Sequence, residues 1–325
     1  MAARRALFAI RNPEAARPPG LAKAIQAARA LGAGLELFHA ICDPVFIELA
    51  RREANTVDAL RERVEGEVRI PLVRLREAVR RHGVACDYSI AWDYPPAEAV
   101  VRRAQAIDAQ VVIAEWHRGG RTQPWLIHLT DWEMLRLSPV PVLLLRDAKP
   151  WRRPLVLAAV DPAHARSKPS HLDARIVAAA TKFSQGLRGS LHLLHASYPS
   201  IVGLEPPKLT TWSTLSYQEL KEQTRQAFEE FRSSAGIPRP RAHLVDGNPA
   251  VEIPRAAQRL RAGIVVMGAV SRSGLKRVFI GNTAERILDA LTCDVLVVKP
   301  ADFVSEVVAQ PRGMRVSAPS SAVVY

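Results

Sequence analysis

The two halves of the chain repeat one order of apolar and amphipathic segments, and this duplication restricts the fold more than any other feature. A short apolar segment that ends in a polar-Pro step opens each half, at residues 6–13 and 155–162. An amphipathic helical stretch follows each one, and four further apolar segments then alternate with helical stretches. Strands that alternate with helices form parallel sheets. The sequence therefore predicts an α/β protein with two tandem, doubly wound, parallel five-stranded sheets.

The length of 325 residues also favours two domains, because one hydrophobic core seldom serves so long a chain. We predict an N-terminal domain at 1–148, a C-terminal domain at 149–302 and a flexible tail at 303–325, where periodicity is lost. A long helical region at about 45–82 should break near Pro71.

The N-terminus begins with basic residues, but its apolar run ends at Arg11 after five residues, which is too short for a secretory signal, so we predict a cytoplasmic protein. The net charge of +13 comes from arginines spread over the helices, without a helix-turn-helix, zinc-finger or RNP motif, so a generally basic surface is favoured and nucleic acid is an unlikely partner. Salt-sensitive association with nucleic acid stays a third hypothesis. No apolar run is long enough for a membrane span. Three scattered cysteines indicate neither a disulfide framework nor a zinc site.

The sharpest chemical signal lies at residues 264–298, where a buried strand leads into a glycine-rich loop, a helix and a second buried strand. The helix should be capped by Asn282, with Glu285 three residues later. Free backbone N–H groups and the positive end of a helix dipole favour a phosphate at such a place.

These residues carry a resemblance to a known family. The sequence from Gly268 to Gly281-Asn282, followed by Ala-Glu and by Cys-Asp-Val-Leu-Val-Val-Lys-Pro, resembles the C-terminal signature of universal stress proteins, most closely their tandem two-domain type. In that family glycine-x-x-glycine, nine residues, and then glycine with Ser, Thr or Asn bind the phosphates of ATP. This chain departs from the pattern at the second glycine, which is Ser271, and its Cβ weakens the nucleotide inference.

The resemblance also implies which residues would bind the nucleotide, and all of them lie in the second half. Asp161 would contact the nucleoside and Ala196 the adenine. The phosphates and ribose would lie on Met267, Gly268, Ser271, Gly281, Asn282 and Thr283. A purely structural role for the glycines, as tight turns, and for Asp161, as a helix cap, stays open.

The first half has lost this pattern, and we predict that it does not bind ATP in the family manner. Asn12 replaces the aspartate, and His128 with Leu129 replaces the Gly-Asn pair. Three tryptophans would fill or line the space for a triphosphate: Trp116, Trp125 and Trp132. An apolar or acyl ligand beside these tryptophans is therefore an alternative function, as is a protein-interaction stress factor in which both sites are degenerate.

Nothing in the sequence indicates an enzyme or a metal site. His192 and His195 are three apart on a strand and point to opposite faces, so they cannot bind one metal together. No nucleophile lies beside a base in a known catalytic pattern, and any ATP hydrolysis should be slow and incidental. The predicted function is that of a stress-response factor that binds ATP, with Mg²⁺, in its second half and regulates unknown protein partners.

The duplication predicts an assembly as well. Single-domain members of the family commonly pair through the last edge strand, so strands 140–145 and 295–298 should meet and form an intramolecular pseudo-dimer. Two domains on a linker without a large interface are the alternative. The chain could be a monomer with this internal pairing, or a homodimer.

Overall fold

The computed structural model describes residues 4–15, 18–42, 54–116, 124–163, 171–197, 211–269 and 281–311. Contacts divide the chain into two compact units, Met1–Val140 with Ser305–Tyr325, and Pro141–Val304. Both units are α/β and contain parallel strands, as the sequence predicts. None of the described helices combines the length and the apolar character that a membrane crossing requires.

The first unit contains four parallel strands in the order β3-β2-β1-β4. Its elements are β1 (Arg5–Ala9), α1 (Leu21–Ala30), β2 (Gly34–Ile41), α2 (Ala54–Arg81), β3 (Cys86–Trp92), α3 (Pro96–Ala106), β4 (Ala109–Glu115) and α4 (Pro124–Leu137). Every residue at the centre of β1 and β4 is buried, because helices cover both faces of a parallel sheet.

The second unit contains five parallel strands in the order β10-β9-β6-β7-β8, with β5 antiparallel to β10. Its elements are β5 (Val142–Leu145), β6 (Leu155–Ala159), α5 (Leu172–Gly186), β7 (Ser190–Ser197), α6 (Thr211–Ser234), β8 (Ala242–Asp246), α7 (Pro249–Arg259), β9 (Ala262–Gly268), α8 (Asn282–Ala290) and β10 (Asp294–Val298).

The fifth strand of the first repeat belongs to the second unit. β5 pairs with β10 through Leu143 opposite Leu296 and Leu144 opposite Val295, so the predicted meeting of strands 140–145 and 295–298 is confirmed. All four residues of β5 are buried. Pairing β5 with β10 gives both strands a hydrogen-bonded neighbour and removes an exposed sheet edge.

The predicted break at Pro71 is wrong, because α2 continues through it. Apolar residues on both sides of the proline hold the helix against the sheet. Leu60, Val64 and Val68 contact the buried Ile41 and Trp92, and Leu72 is itself fully buried. Tertiary packing thus outweighs the local cost of a proline inside a helix.

The start of the predicted flexible tail is held against the first unit. Arg102 Nε donates to the carbonyl of Val308 at 2.8 Å, and Ser305 Oγ donates to the carbonyl of Leu137 at 2.7 Å. Val307 is buried. Residues 305–308 therefore contact the first unit. The flexibility of the tail stays a prediction, and residues 312–325 lie outside the described residues.

Candidate functional site

The candidate site of the second unit lies at the carboxyl edge of its parallel strands. The chain leaves β6 and β9, which are neighbours, in opposite directions across the sheet, and the crevice between such strands is where open α/β sheets bind ligands. Strand register places the predicted residues together there. Ala159 lies beside Met267 on one side and beside Leu194 on the other, so Asp161, Gly268 and Ala196 all lie near the ends of adjacent strands.

Asp161 joins the end of β6 to the start of α5. Its backbone N–H donates to Asp173 Oδ1 at 3.1 Å, in the first turn of that helix. One carboxylate oxygen of Asp161 lies 3.8 Å from His195 Nδ1, and the Asp161 side chain is 24% exposed. The carboxylate thus lies near a buried histidine and is still reachable by a ligand.

Gly268 packs closely against α5. A Cβ at this position would lie 2.7 Å from Leu172 Cδ2 and 3.3 Å from Ile176 Cδ1, because α5 crosses directly over the end of β9. A side chain here would therefore force Leu172 to shift. This packing does not exclude ligand contacts through the Gly268 backbone, and the role of Gly268 as a tight turn stays a prediction.

Gly281 and the first residues of α8 form the second part of the site. Gly281 has φ +91°, in the region that favours glycine, and the helix begins at Asn282. The prediction that Asn282 caps the helix is wrong, since Gly281 occupies the N-cap position and Asn282 is the first helical residue. Asn282 and Thr283 are exposed, so the positive end of the helix dipole faces outward beside small polar side chains.

Two other predicted residues contribute mainly backbone. Ala196 and Met267 are buried within β7 and β9, so their side chains belong to the core. Ser271, with residues 270–280 of the loop, lies outside the described residues, and its predicted role stays a prediction.

The same position in the first unit carries a carboxylate. Register aligns Ala114 with Ala9 as it aligns Met267 with Ala159, so Glu115 is the counterpart of Gly268. Glu115 Oε1 accepts a hydrogen bond from the backbone N–H of Gly20 at 2.5 Å, at the start of α1. Burial raises the pKa of Glu115, while the Gly20 hydrogen bond and Arg11 act to lower it.

Further side chains occupy the surroundings of Glu115. Arg11 forms an ion pair of 3.0 Å with the buried Asp131, and Trp116 contacts Trp132 edge-on with ring centroids 5.6 Å apart. The side chains of Trp125, His128 and Leu129 lie outside the described residues. Sequence reasoning pointed to the tryptophans and missed Glu115, which an alignment of the two repeats on Gly268 would have found.

His39 of β2 and His195 of β7 occupy equivalent positions in the two repeats and make the same contact. His39 Nδ1 lies 2.8 Å from the carbonyl oxygen of Ile10, and His195 Nδ1 lies 3.0 Å from that of Val160. Burial lowers the pKa of His39, which favours the neutral ring that donates this hydrogen bond. His195 faces Phe228 of α6, with ring centroids 6.0 Å apart.

His192 points to the opposite face of the sheet from His195 and therefore has a different neighbour. Its Nδ1 lies 2.9 Å from Nε2 of His243 on β8, a pairing that sequence reasoning missed. Among the described residues, no group of three or more His, Cys, Asp or Glu side chains could hold a metal ion.

Comparison with known proteins finds one family that matches both halves of the chain. The model of the universal stress protein family matches residues 2–146 and 156–299. The chain is 26% identical over 301 residues to universal stress protein E of Escherichia coli K12, covering 91% of this chain and 94% of that protein. A structure of a functionally unknown Pseudomonas aeruginosa PAO1 protein has a TM-score of 0.70 at 27% identity, covering 93% of this chain and 94% of its own. A putative universal stress protein from P. aeruginosa UCBPP-PA14 has a TM-score of 0.68 at 27% identity, covering 93% and 95%.

Proposed function

The chain belongs to the universal stress protein family in its tandem form, and from this we propose that its second unit binds ATP at the carboxyl edge of the sheet. The phosphates, with Mg²⁺ as their counterion, would lie at the N-terminus of α8 and on Ser271 of the preceding loop. The nucleoside would lie beside Asp161, with the adenine on the backbone of Ala196 and the ribose near Thr283. Family resemblance supplies these roles.

The observation that carries the proposal is the start of α8. Gly281 turns the chain with a positive φ into a nine-residue helix whose first two side chains, Asn282 and Thr283, are exposed and uncharged. Backbone N–H groups in the first turn of a helix lack intrahelical partners, and the dipole adds positive potential there. Such an end attracts phosphate.

The first unit gives the reason to assign ATP to the second unit alone. At the position of Gly268 it has Glu115, which already accepts a hydrogen bond from the start of α1. A carboxylate at this place would repel phosphates and would occupy part of their space. An apolar ligand beside the tryptophans is not supported by the contact between Trp116 and Trp132, and this alternative stays a prediction.

The proposed role is binding that regulates protein partners, with at most slow, incidental ATP hydrolysis. The nucleotide would favour one conformation of the loop at 270–280, which a partner could recognise. A cytoplasmic location belongs to the same proposal.

Asn282→Asp tests the site without disturbing the fold. The substitution keeps the size of the side chain and adds a negative charge at the first residue of α8, where it should stabilise the helix by about 0.3–1 kcal/mol. The same charge should repel the phosphates and weaken MgATP binding at least about tenfold, measured by isothermal titration calorimetry.

Gln258→Glu is the matched control, because it adds one negative charge to an exposed residue away from the proposed site, at the C-terminal end of α7. It should leave ATP affinity unchanged. Unchanged affinity in Asn282→Asp would show that phosphate does not bind at α8, and absence of binding by the wild type would refute the proposal as a whole. Gly281 is a poorer probe, because any side chain at φ +91° strains the backbone.

A further inference from the structure

The amino ends of four neighbouring strands in the second unit carry exposed arginines. The strands are parallel and lie in the order β9-β6-β7-β8, so their first residues share one edge of the sheet. At least one arginine lies within two residues before the start of each strand. We call this set the arginine edge: Arg152 and Arg153 before β6, Arg188 before β7, Arg241 before β8, and Arg259 and Arg261 before β9.

The strand spacing sets the distribution of these charges. Neighbouring strands lie about 4.8 Å apart, so four of them span roughly 14 Å. A nucleic-acid strand carries a phosphate every ~3.4 Å along a duplex axis, and somewhat further apart when extended. The arginine edge therefore presents guanidinium groups over a length that several consecutive phosphates would match.

In the described part of the chain, none of the six side chains forms an ion pair or a hydrogen bond. The corresponding edge of the first unit differs, since three of its arginines are paired with carboxylates. Arg5 and Arg103 bind the buried Glu36 at 3.0 and 2.5 Å, and Arg80 lies 3.4 Å from Asp87.

The residue that replaces Glu36 in the second repeat is His192. Register places Glu36 near Ser89, whose hydroxyl donates to it, and places His192 near His243, with which it pairs at 2.9 Å. The pKa of His192 is lowered by burial, by His243 and by Arg241, and that of His243 by burial and by Arg259. Two arginines of the edge therefore act on the histidine pair, and a neutral pair stands where the first unit has a carboxylate.

Folding accounts for only part of this charge. Arg153, Arg188 and Arg261 have φ of 50°, 53° and 51°, in the left-handed region that costs a residue other than glycine roughly 1 kcal/mol. The negative helix ends of α5 and α7 favour cations at Arg188 and Arg261. Arg152 and Arg153 follow a strand and have no such helix behind them.

We infer that the arginine edge binds the phosphate backbone of single-stranded nucleic acid without reading its bases. Guanidinium groups bind phosphate oxygens through paired hydrogen bonds, and the edge consists of arginine alone. A lipid surface fits less well, because the large apolar side chains that are exposed in the described residues lie elsewhere in the chain. The sequence favoured a diffuse basic surface, but sheet topology concentrates six of its charges at one edge.

This inference does not depend on the proposed ATP site, which lies at the opposite ends of the same strands. The test uses the full chain and a fluorescein-labelled 12-nucleotide single-stranded RNA, with anisotropy followed between 50 and 200 mM salt. One variant neutralises four positions of the edge: Arg188→Gln, Arg241→Gln, Arg259→Gln and Arg261→Gln. A control variant removes the same charge from exposed residues of α1 and α2: Arg29→Gln, Arg63→Gln, Arg74→Gln and Arg81→Gln.

We expect the wild type to bind with an affinity that falls steeply with salt. The edge variant should bind at least about tenfold more weakly, and the slope of log affinity against log salt should become shallower by about 3, since each phosphate contact contributes ~0.7. The control variant and Asn282→Asp should bind like the wild type. Absence of RNA binding at 50 mM salt, or equal losses in the edge and control variants, would overturn the inference. Binding to anionic phosphatidylserine vesicles but not to RNA would overturn it in favour of a membrane surface.

Discussion

Replacing Lys299 by methionine should stabilise the protein at neutral pH. Lys299 follows β10 and is 2% exposed, and in the described part of the chain its Nζ has no hydrogen-bond partner. The ammonium group lies 4.8 Å from the centre of the Phe303 ring, which compensates only part of the lost hydration. Burial lowers the pKa of Lys299 from 10.5 to about 8.

The magnitude follows from proton linkage. Below pH 8 both folded and unfolded chains carry the charge, and the folded chain holds it in an apolar place. Between pH 8 and 10.5 the unfolded state binds more protons, so the free energy of unfolding rises with pH in this window. The full difference corresponds to about 3 kcal/mol at ~1.4 kcal/mol per pH unit.

Urea unfolding of the wild type and Lys299→Met at several pH values measures this difference. Methionine keeps the length of the side chain and removes the charge, so the variant should be more stable by up to about 3 kcal/mol at pH 7. Its advantage should shrink by about 1 kcal/mol between pH 7 and pH 9, as the wild-type amine loses its proton.

Two thiols change the stability in the opposite direction as the pH rises. Their contribution cancels when the free energies of unfolding of the wild type and the variant are subtracted. Burial raises the pKa of Cys86 to about 12 and that of Cys293 to about 11, so both stabilise the fold below pH 9 and lose that contribution above it. Both thiols are present in each protein that is compared. The exposed Lys182→Met is the control and should show no pH-dependent difference. A Lys299→Met protein that is less stable than the wild type at pH 7, or an advantage independent of pH, would refute the reasoning.

Three further substitutions test packing within the two units. Gly189→Ala should lower the free energy of unfolding by about 1–3 kcal/mol in urea titrations, because the new Cβ would lie 2.0 Å from the Pro154 carbonyl oxygen. Gly66→Ala in α2 should raise the free energy of unfolding by about 0.5–1 kcal/mol, because no atom lies within 4 Å of the new Cβ. Equal effects of the two would contradict the close approach at Gly189. Arg102→Met should cost about 3–5 kcal/mol, because Asp93 and Glu98 are buried beside the guanidinium, and should speed hydrogen exchange at 305–311. Unchanged exchange there would show that the bond to Val308 does not hold this segment.

Part of the candidate site was readable from the sequence. The positions of Asp161, Gly268 and Gly281 follow from a strand, a turn and a helix start, which are local features, and the structure places them at one edge of the sheet. The sequence did not show whether Gly268 is needed for the fold or for binding a ligand. Only the crossing of α5 shows that a side chain there would force Leu172 to shift.

The first unit shows the same limit. The loss of the glycine pattern was visible, and the tryptophans drew attention as the bulkiest replacements. The side chain that meets the start of α1 is Glu115, and its contact with Gly20 joins residues that are 95 positions apart in the chain. No local pattern reports such a contact.

By itself the sequence determined the type, order and repetition of the elements, since the spacing of apolar side chains records which face of each segment is buried. Tertiary structure decided what depends on strand order and register. It paired β5 with β10, brought the Glu115 carboxylate to the start of α1, and gathered arginines from four separate turns at one edge. The physical reason is that strand neighbours are chosen by long-range pairing and burial, which bring together side chains that are distant along the chain.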